Sequence, residues 1–158
     1  MSIPRIGYGH DLHRLQAGGT LILGGVVIAH DLSPVAHSDG DVVLHAMVDA
    51  ILGAIGQGDI GEHFKNSDPQ WRNVRSTLFV EQVMSLATDA GYRMGNVDVL
   101  ILAERPKLSA FKSRIAQTIK DLTGAEMVNV KAGTNEGCDA IGRGEAIAAT
   151  VVVLMIRA

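Results

Sequence analysis

The stretch "GYGHDLH", residues 7 to 13, places His10, Asp11 and His13 within four positions. Side chains of an extended strand alternate between faces, so Asp11 and His13 share one face and His10 takes the other. Strand rise sets the Asp11 and His13 Cα atoms about 7 Å apart, and a carboxylate and an imidazole so placed reach one metal ion. D-x-H alone is common, and its ordinary fate is a surface pair or a satisfied hydrogen bond. "HSDGDVVLH", residues 37 to 45, adds His37, Asp39, Asp41 and His45. His45 falls in the first turns of an apolar helix, with Asp41 and Asp49 four residues before and after it on one stripe. A metal-bound imidazole wants a carboxylate or carbonyl on its other nitrogen, a role open to either acid. Two His and one Asp leave a fourth position for water or substrate, the pattern of catalytic zinc. Calcium or magnesium takes more oxygen ligands. On spacing alone His37 competes for a ligand place.

Two further stretches have the chemistry of anion binding. Ser38 and the backbone amides of the helix start after it form a site suited to phosphate. "KAGTNEGCDAIGRGEA", 131 to 146, combines Lys131, Thr134, Glu136, Arg143 and Glu145 with four glycines. Glycines let backbone amides approach phosphates closely, and Glu136 among neutral groups suits a second, harder cation bound to those phosphates. An ordinary turn with a surface Glu reads equally well there. "AERPKLS", 103 to 109, is a strand end followed by a Pro-initiated helix, another place where ligands sit.

These groups need elements to hold them. Residues 5 to 14 and 20 to 29 read as strands, the second interrupted at Gly24-Gly25 by a turn or bulge. Residues 30 to 41 form a loop. A helix follows from about 41 to 56, capped by Ser38, Asp39 or Asp41. Residues 56 to 71 are a polar loop. A second helix spans about 74 to 90, with Leu78, Val83, Leu86 and Ala87 inward and Gly91 as its stop. Residues 96 to 104 are a central strand, 108 to 123 a helix ending at Gly124, 127 to 134 a strand, and 145 to 157 the last strand. The order predicts an α/β two-layer sandwich, with a mixed, roughly four-stranded sheet and helices on one face. "VDVLILA" and "AIAATVVVLMI" alternate too little for a sheet face left in water. Three helices do not cover both faces, so a second copy of the chain is the expected cover.

Totals bound the rest. At 158 residues the chain fits one domain, 1 to 158, with one core. Aromatics are only 4 %, so that core must be aliphatic. The net charge of −3 gives no electrostatic reason for nucleic-acid or membrane binding. The lone Cys138 cannot form an intrachain disulfide, which fits a reducing compartment. The first ten residues, "MSIPRIGYGH", lack targeting character, so a cytoplasmic location of bacterial type is expected.

Four blocks, "GYGHDLHRL", "AHSDGDVVLHAMVDAILGAIGQGDIGEHF", "GNVDVLILAERPKL" and "VNVKAGTNEG…GRGEAIA", together resemble the 2-C-methyl-D-erythritol 2,4-cyclodiphosphate synthases, in order and over essentially the whole chain. The resemblance implies a step of the non-mevalonate isoprenoid pathway. There the 2-phosphate of 4-diphosphocytidyl-2-C-methyl-D-erythritol 2-phosphate attacks the β-phosphorus, CMP leaves, and a cyclic diphosphate forms. It implies a homotrimer with active sites at subunit interfaces. By position, Asp11, His13 and His45 match the zinc (Zn2+) ligands, and Glu136 matches the ligand of Mg2+ or Mn2+ between the α- and β-phosphates. His37 and Ser38 match phosphate contacts, and Asp59 and Gly61 match contacts to the erythritol part. Thr134 matches a residue near the diphosphate. Ala103, Pro106, Lys107 and Leu108 match the cytidine pocket, contributed by the neighbouring subunit relative to the zinc. Arg143 and Glu145 match the stretch near the trimer axis. No general base is implied, because the nucleophile is already an anionic phosphate.

Departures from the family pattern fall at Gly133, in "GTNE" where "TTTE" is frequent, and at Lys65 and Asn66, in "FKNSDP" where "FPDTDP" is frequent. They also fall at Ala140 or Ile141, where an aromatic often precedes "GRGE". Two other functions use the same residues: a zinc hydrolase of phosphate esters, with metal-bound water as nucleophile, and a non-catalytic trimeric module that binds metal and nucleotide.

Overall fold

The computed structural model describes residues 3 to 65 and 67 to 158, so Asn66, one of the departures from the family pattern, lies outside the described residues. The first strand, β1 (Arg5–Ala17), carries Gly7, Gly9, Asp11 and His13 on one face. The first long helix, α1 (Val42–Ile55), lies directly on the two glycines. A Cβ on Gly7 would stand 1.7 Å from the Ala50 carbonyl oxygen, and one on Gly9 1.8 Å from that of Ala46. Only glycine allows this approach. It sets the N-terminal turns of α1 over the next two residues of that strand face, Asp11 and His13.

Between these elements the expected interruption at Gly24-Gly25 is a hairpin turn. β2 (Leu21–Leu23) and β3 (Val26–Ala29) pair antiparallel with Leu23 opposite Val26. Both glycines have positive φ, as the tightest hairpin turns demand. β4 (Leu32–Pro34) then pairs with the end of β1. After α1 come a short helix, α2 (Ile60–His63), then α3 (Ser76–Asp89), β5 (Tyr92–Leu102), α4 (Lys112–Thr123), β6 (Met127–Gly133), a one-turn α5 (Asp139–Gly142) and β7 (Ala146–Arg157). The main sheet runs β4-β1-β7-β5-β6, with β5 and β6 parallel and the other pairs antiparallel. It therefore has five strands, not the roughly four expected. The extra edge strand is three residues long and sits in a stretch rich in turn formers, too short to show a period.

Other differences are local. α2 and α5 lie in stretches expected to be loops, each four residues long. β5 begins four residues early, with a register shift between Met94 and Asn96 that absorbs Gly95. α4 begins at Lys112 rather than 108, after a turn closed by the Phe111 N–H on the Leu108 carbonyl. On α3 the buried residues are Ser76, Phe79, Val80, Val83 and Ala87. Val83 and Ala87 face in as expected, but Leu78 and Leu86 are partly exposed. The stripe is rotated by about one residue from the expected one, because Ser76 rather than a hydrophobe starts it.

The long helices cover one face of the sheet. Ile147, Ala149, Val151, Val153 and Met155 of β7, with Val97, Val99 and Ile101 of β5, are fully buried beneath them. α1 is buried almost all round; its positions outside the core are His45, Asp49 and Gly53, a stripe of four-residue spacing. The opposite sheet face is largely uncovered. α5 covers one end, where Ile141 packs with Ala148 and Leu102. The rest presents Ile6 (71 % exposed), Tyr8 (65 %), Leu12 and Val152.

Candidate active site

β1 and α1 bring together the three side chains read as metal ligands. Asp11 Oδ2 lies 3.1 Å from His13 Nε2 and 3.1 Å from His45 Nδ1, and the two imidazole nitrogens are 3.3 Å apart. Zinc bonds of about 2.0–2.1 Å in tetrahedral array place ligand atoms about 3.3 Å from one another, so the donor set and its spacing fit that ion. Among the described residues these three are the cluster of His, Cys, Asp and Glu able to hold a metal. His37, the rival ligand on spacing alone, is exposed and outside it. His10 lies on the other strand face as expected and outside the cluster, with its Nδ1 3.0 Å from Thr150 Oγ1 on β7, though it still borders the cavity beside the cluster. Burial raises the Asp11 pKa, but hydrogen bonds and charge from His13 and His45 outweigh it and hold the carboxyl well below the usual carboxylate range.

Neither acid expected to orient His45 does so. Asp41 caps α1: its Oδ1 accepts the Val43 and Leu44 N–H groups. The same carboxylate accepts N–H from Gly24 (2.9 Å) and Gly25 (2.7 Å), locking the hairpin turn to the helix start. Full burial pushes its pKa up to about 6, against the pull of the Gly25, Gly24 and Leu44 amides. Asp49 Oδ1 accepts the Ile60 N–H at 2.7 Å and so places the "GDIG" segment; burial pushes its pKa up. The groups at His45 Nε2 are instead Ser76 Oγ at 2.9 Å and Ser38 Oγ at 3.1 Å. Ser76 is 31 residues from His45, and no local pattern links the two. The one available signal is a serine at the start of a helix with a buried stripe.

The cluster opens into a cavity of about 680 Å³ lined by His37, Ser38, Asp49, Gly61, Trp71 and Arg72 among others. An aromatic wall backs it: the Phe64 ring centroid is 4.5 Å from Phe79 and 5.2 Å from Trp71. Asp59 caps α2, accepting the Glu62 N–H at 3.1 Å, and sits beside the lining rather than in it.

The remaining candidates lie elsewhere. Ala103 and Leu108 are buried, Pro106 half-buried and Lys107 exposed, in the segment leaving β5. The Ala103 N–H donates to the Gly133 carbonyl (3.0 Å), and the Asn135 N–H to Glu104 Oε1 (2.9 Å), tying that segment to the loop after β6. There Glu136 stands at positive φ with Thr134 Oγ1 donating to it. Arg143 pairs with Glu145 through two contacts of 3.1 Å on the surface. β1 and β6 are three strand steps apart, about 14 Å at sheet spacing. Pairing of His13 with Ile147 and of Leu102 with Ala148 sets both groups at one end of the sheet. The two groups of candidate residues thus lie at opposite edges of the sheet, and the cavity contains none of Ala103, Pro106, Lys107, Leu108, Thr134 or Glu136.

Known proteins resemble this chain over nearly its whole length. The chain is 50 % identical over 155 residues to the 2-C-methyl-D-erythritol 2,4-cyclodiphosphate synthase of Geotalea daltonii, covering 97 % of this chain and 91 % of the relative. It is 48 % identical to the chloroplastic synthase of Arabidopsis thaliana, covering 97 % of this chain and 67 % of that one. Among solved structures, the bifunctional IspDF from Campylobacter jejuni aligns with TM-score 0.95 at 35 % identity over 99 % of this chain, which spans 43 % of that longer protein. The CDP complex of Plasmodium falciparum IspF aligns with TM-score 0.85 at 34 % identity, covering 98 % of this chain and 96 % of that one. The YgbB family model matches residues 4–156, and with these relatives it establishes that the chain belongs to the YgbB family, that of the 2-C-methyl-D-erythritol 2,4-cyclodiphosphate synthases.

Proposed function

We propose that the chain converts 4-diphosphocytidyl-2-C-methyl-D-erythritol 2-phosphate to 2-C-methyl-D-erythritol 2,4-cyclodiphosphate and CMP. The observation that carries this reading is the convergence of Asp11, His13 and His45 at one end of a roomy cavity in a chain of this family. Those three residues would hold Zn2+, which when bound supplies Lewis-acid polarisation of a phosphoryl group. Glu136 would hold Mg2+ or Mn2+; a single exposed carboxylate suits an ion that completes its shell with substrate phosphates and water.

The protein's own residues position the substrate. His37 and Ser38 meet its phosphates, and Asp59 and Gly61 meet the erythritol part. The aromatic wall of Phe64, Trp71 and Phe79 keeps water from that side. Ala103, Pro106, Lys107 and Leu108 receive the cytosine, Thr134 stands near the diphosphate, and Arg143 and Glu145 lie near a threefold axis. The nucleophile is a phosphate anion, so no side chain removes a proton, and positioning with charge stabilisation supplies the rate.

Two half-sites on opposite edges of one sheet meet if neighbouring copies pack their uncovered apolar faces around a common axis, which also takes that surface out of water. The reading therefore includes a homotrimer, with each site built from two neighbours, each chain a single domain over 1 to 158. It also includes a cytoplasmic setting, in keeping with the free, exposed Cys138; among the described residues no helix is long and apolar enough to cross a membrane. Incubation with the authentic substrate tests the reading. A cyclic diphosphate and stoichiometric CMP are expected. A linear product carrying oxygen from labelled water would overturn it in favour of a hydrolase.

A further inference from the structure

The two nitrogens of His45 meet different groups. Nδ1 faces Asp11 Oδ2 and His13 Nε2, while Nε2 faces Ser76 Oγ at 2.9 Å and Ser38 Oγ at 3.1 Å. A neutral imidazole carries one proton, and its place decides which nitrogen offers a lone pair. The Ser76 hydroxyl has a single proton, which it donates to Asp39 Oδ1. The Ser76 backbone N–H donates to the other Asp39 oxygen at 3.0 Å. A carboxylate only accepts, so the direction of these bonds is settled. Ser76 Oγ is left as an acceptor toward His45. A bare Nε2 would set lone pair against lone pair at 2.9 Å; an Nε2–H satisfies the contact. Ser38 Oγ, which accepts the Gly40 N–H at 3.2 Å, is a second acceptor for the same proton.

Asp39 is itself held on several sides. Its Oδ1 also accepts the Asp41 N–H (3.2 Å), and its own N–H donates to the Val74 carbonyl (3.3 Å). Beside it the Asn73 N–H donates to the His37 carbonyl (2.9 Å). The segment entering α3 thereby clasps the loop entering α1, and Ser76, fully buried, is not free to swing away.

We propose that Asp39 and Ser76 form a hydrogen-bond relay that keeps the His45 proton on Nε2 and so presents the Nδ1 lone pair to the metal. Both are positioning residues, acting through His45 and touching no reacting atom. The inference rests on the reading of Asp11, His13 and His45 as a zinc site and assigns the device that orients one of its ligands. Removing such an outer partner typically weakens a metal site by roughly 10- to 100-fold. Ser76→Ala should do so while keeping the backbone bond to Asp39. Asp39→Asn should do less, because its amide oxygen still accepts the Ser76 hydroxyl.

The test is zinc affinity of the intact protein by chelator competition, together with 15N-histidine NMR of the zinc-loaded form. In the wild type, the His45 proton is expected on Nε2, shielded from exchange. Ser76→Ala should speed that exchange alongside the roughly 10- to 100-fold loss in affinity. A His45 proton found on Nδ1 in the zinc-loaded wild type would overturn the relay without recourse to any variant. Unchanged zinc affinity and exchange in Ser76→Ala would overturn it while leaving the metal site intact. A wild type that binds no zinc would remove both the metal site and the relay.

Discussion

The two half-sites differ in how they are held. The Asp11, His13 and His45 half sits where a strand, a buried helix and the entry to α3 converge. The helix contacts the strand backbone at Gly7 and Gly9, and Asp41 accepts from four amides, two at the helix start and two in the hairpin turn. The half around Ala103 to Leu108 and Thr134 to Glu136 stands on two segments leaving the far edge of the sheet. Its Glu136 carboxylate is exposed, and among the described residues the Thr134 hydroxyl donates to it. A resident metal needs ligands fixed to a few tenths of an ångström, which rigid elements supply. On the proposed reading, the other half receives a leaving nucleotide and an ion arriving with phosphates; it would be completed by its ligand and by a neighbouring chain, so it need not be fixed in advance.

The contrast is open to direct attack, and the largest effect belongs at the rigid half. His45→Ala should abolish CMP release and empty the site of zinc, read by product assay and metal analysis; full activity would break the assignment. Gly9→Ala drives a Cβ into the Ala46 carbonyl and should cost about 3 kcal/mol or more of unfolding free energy, with zinc affinity falling in step, measured by urea titration. Stability unchanged by that methyl would mean that α1 does not rest on β1 as described. Asp41→Ala removes a cap and leaves amides of two elements unpaired, at about 2–4 kcal/mol, checked by the same titration. Glu136→Gln should barely move stability, within about 0.5 kcal/mol, and should leave zinc bound. Its expected effect is loss of the dependence of CMP release on added Mg2+ or Mn2+, and an unchanged dependence would remove Glu136 from that role.

Sequence spacing reached the rigid half further than the open one, though not completely. Asp11 and His13 were legible because strand period is a local rule, and His45 because its helix had a clear apolar period. The partners of His45 were not. An acid four residues away on a helix looks like a neighbour, but Asp41 is the cap, and its carboxylate turns back to the amides of the first turn. Asp49 bends to Ile60 instead. Ser76 reaches His45 only through packing of α3 against α1, a tertiary fact with no period to announce it. β4, α2 and α5 escaped because three or four residues show no repeat. Leu78 and Leu86 were expected inside because they are hydrophobes at helical spacing, whereas the stripe that packs begins at Ser76. In the other half, residue types and turn chemistry were readable, yet the separation of Glu136 from Asp11, His13 and His45 followed only from strand order.

The central claim is that each working site joins the metal half of one chain to the nucleotide half of another. Mixing His45→Ala with Glu136→Ala, each of which should lack the metal-assisted CMP release of the wild type, after dissociation and reassembly together, tests it most directly. CMP release should return to roughly a quarter of the wild-type rate, the chance that random neighbours in a ring bring two intact halves together. Mixed assemblies, verified by mass, that stay as inactive as either variant alone would contradict it.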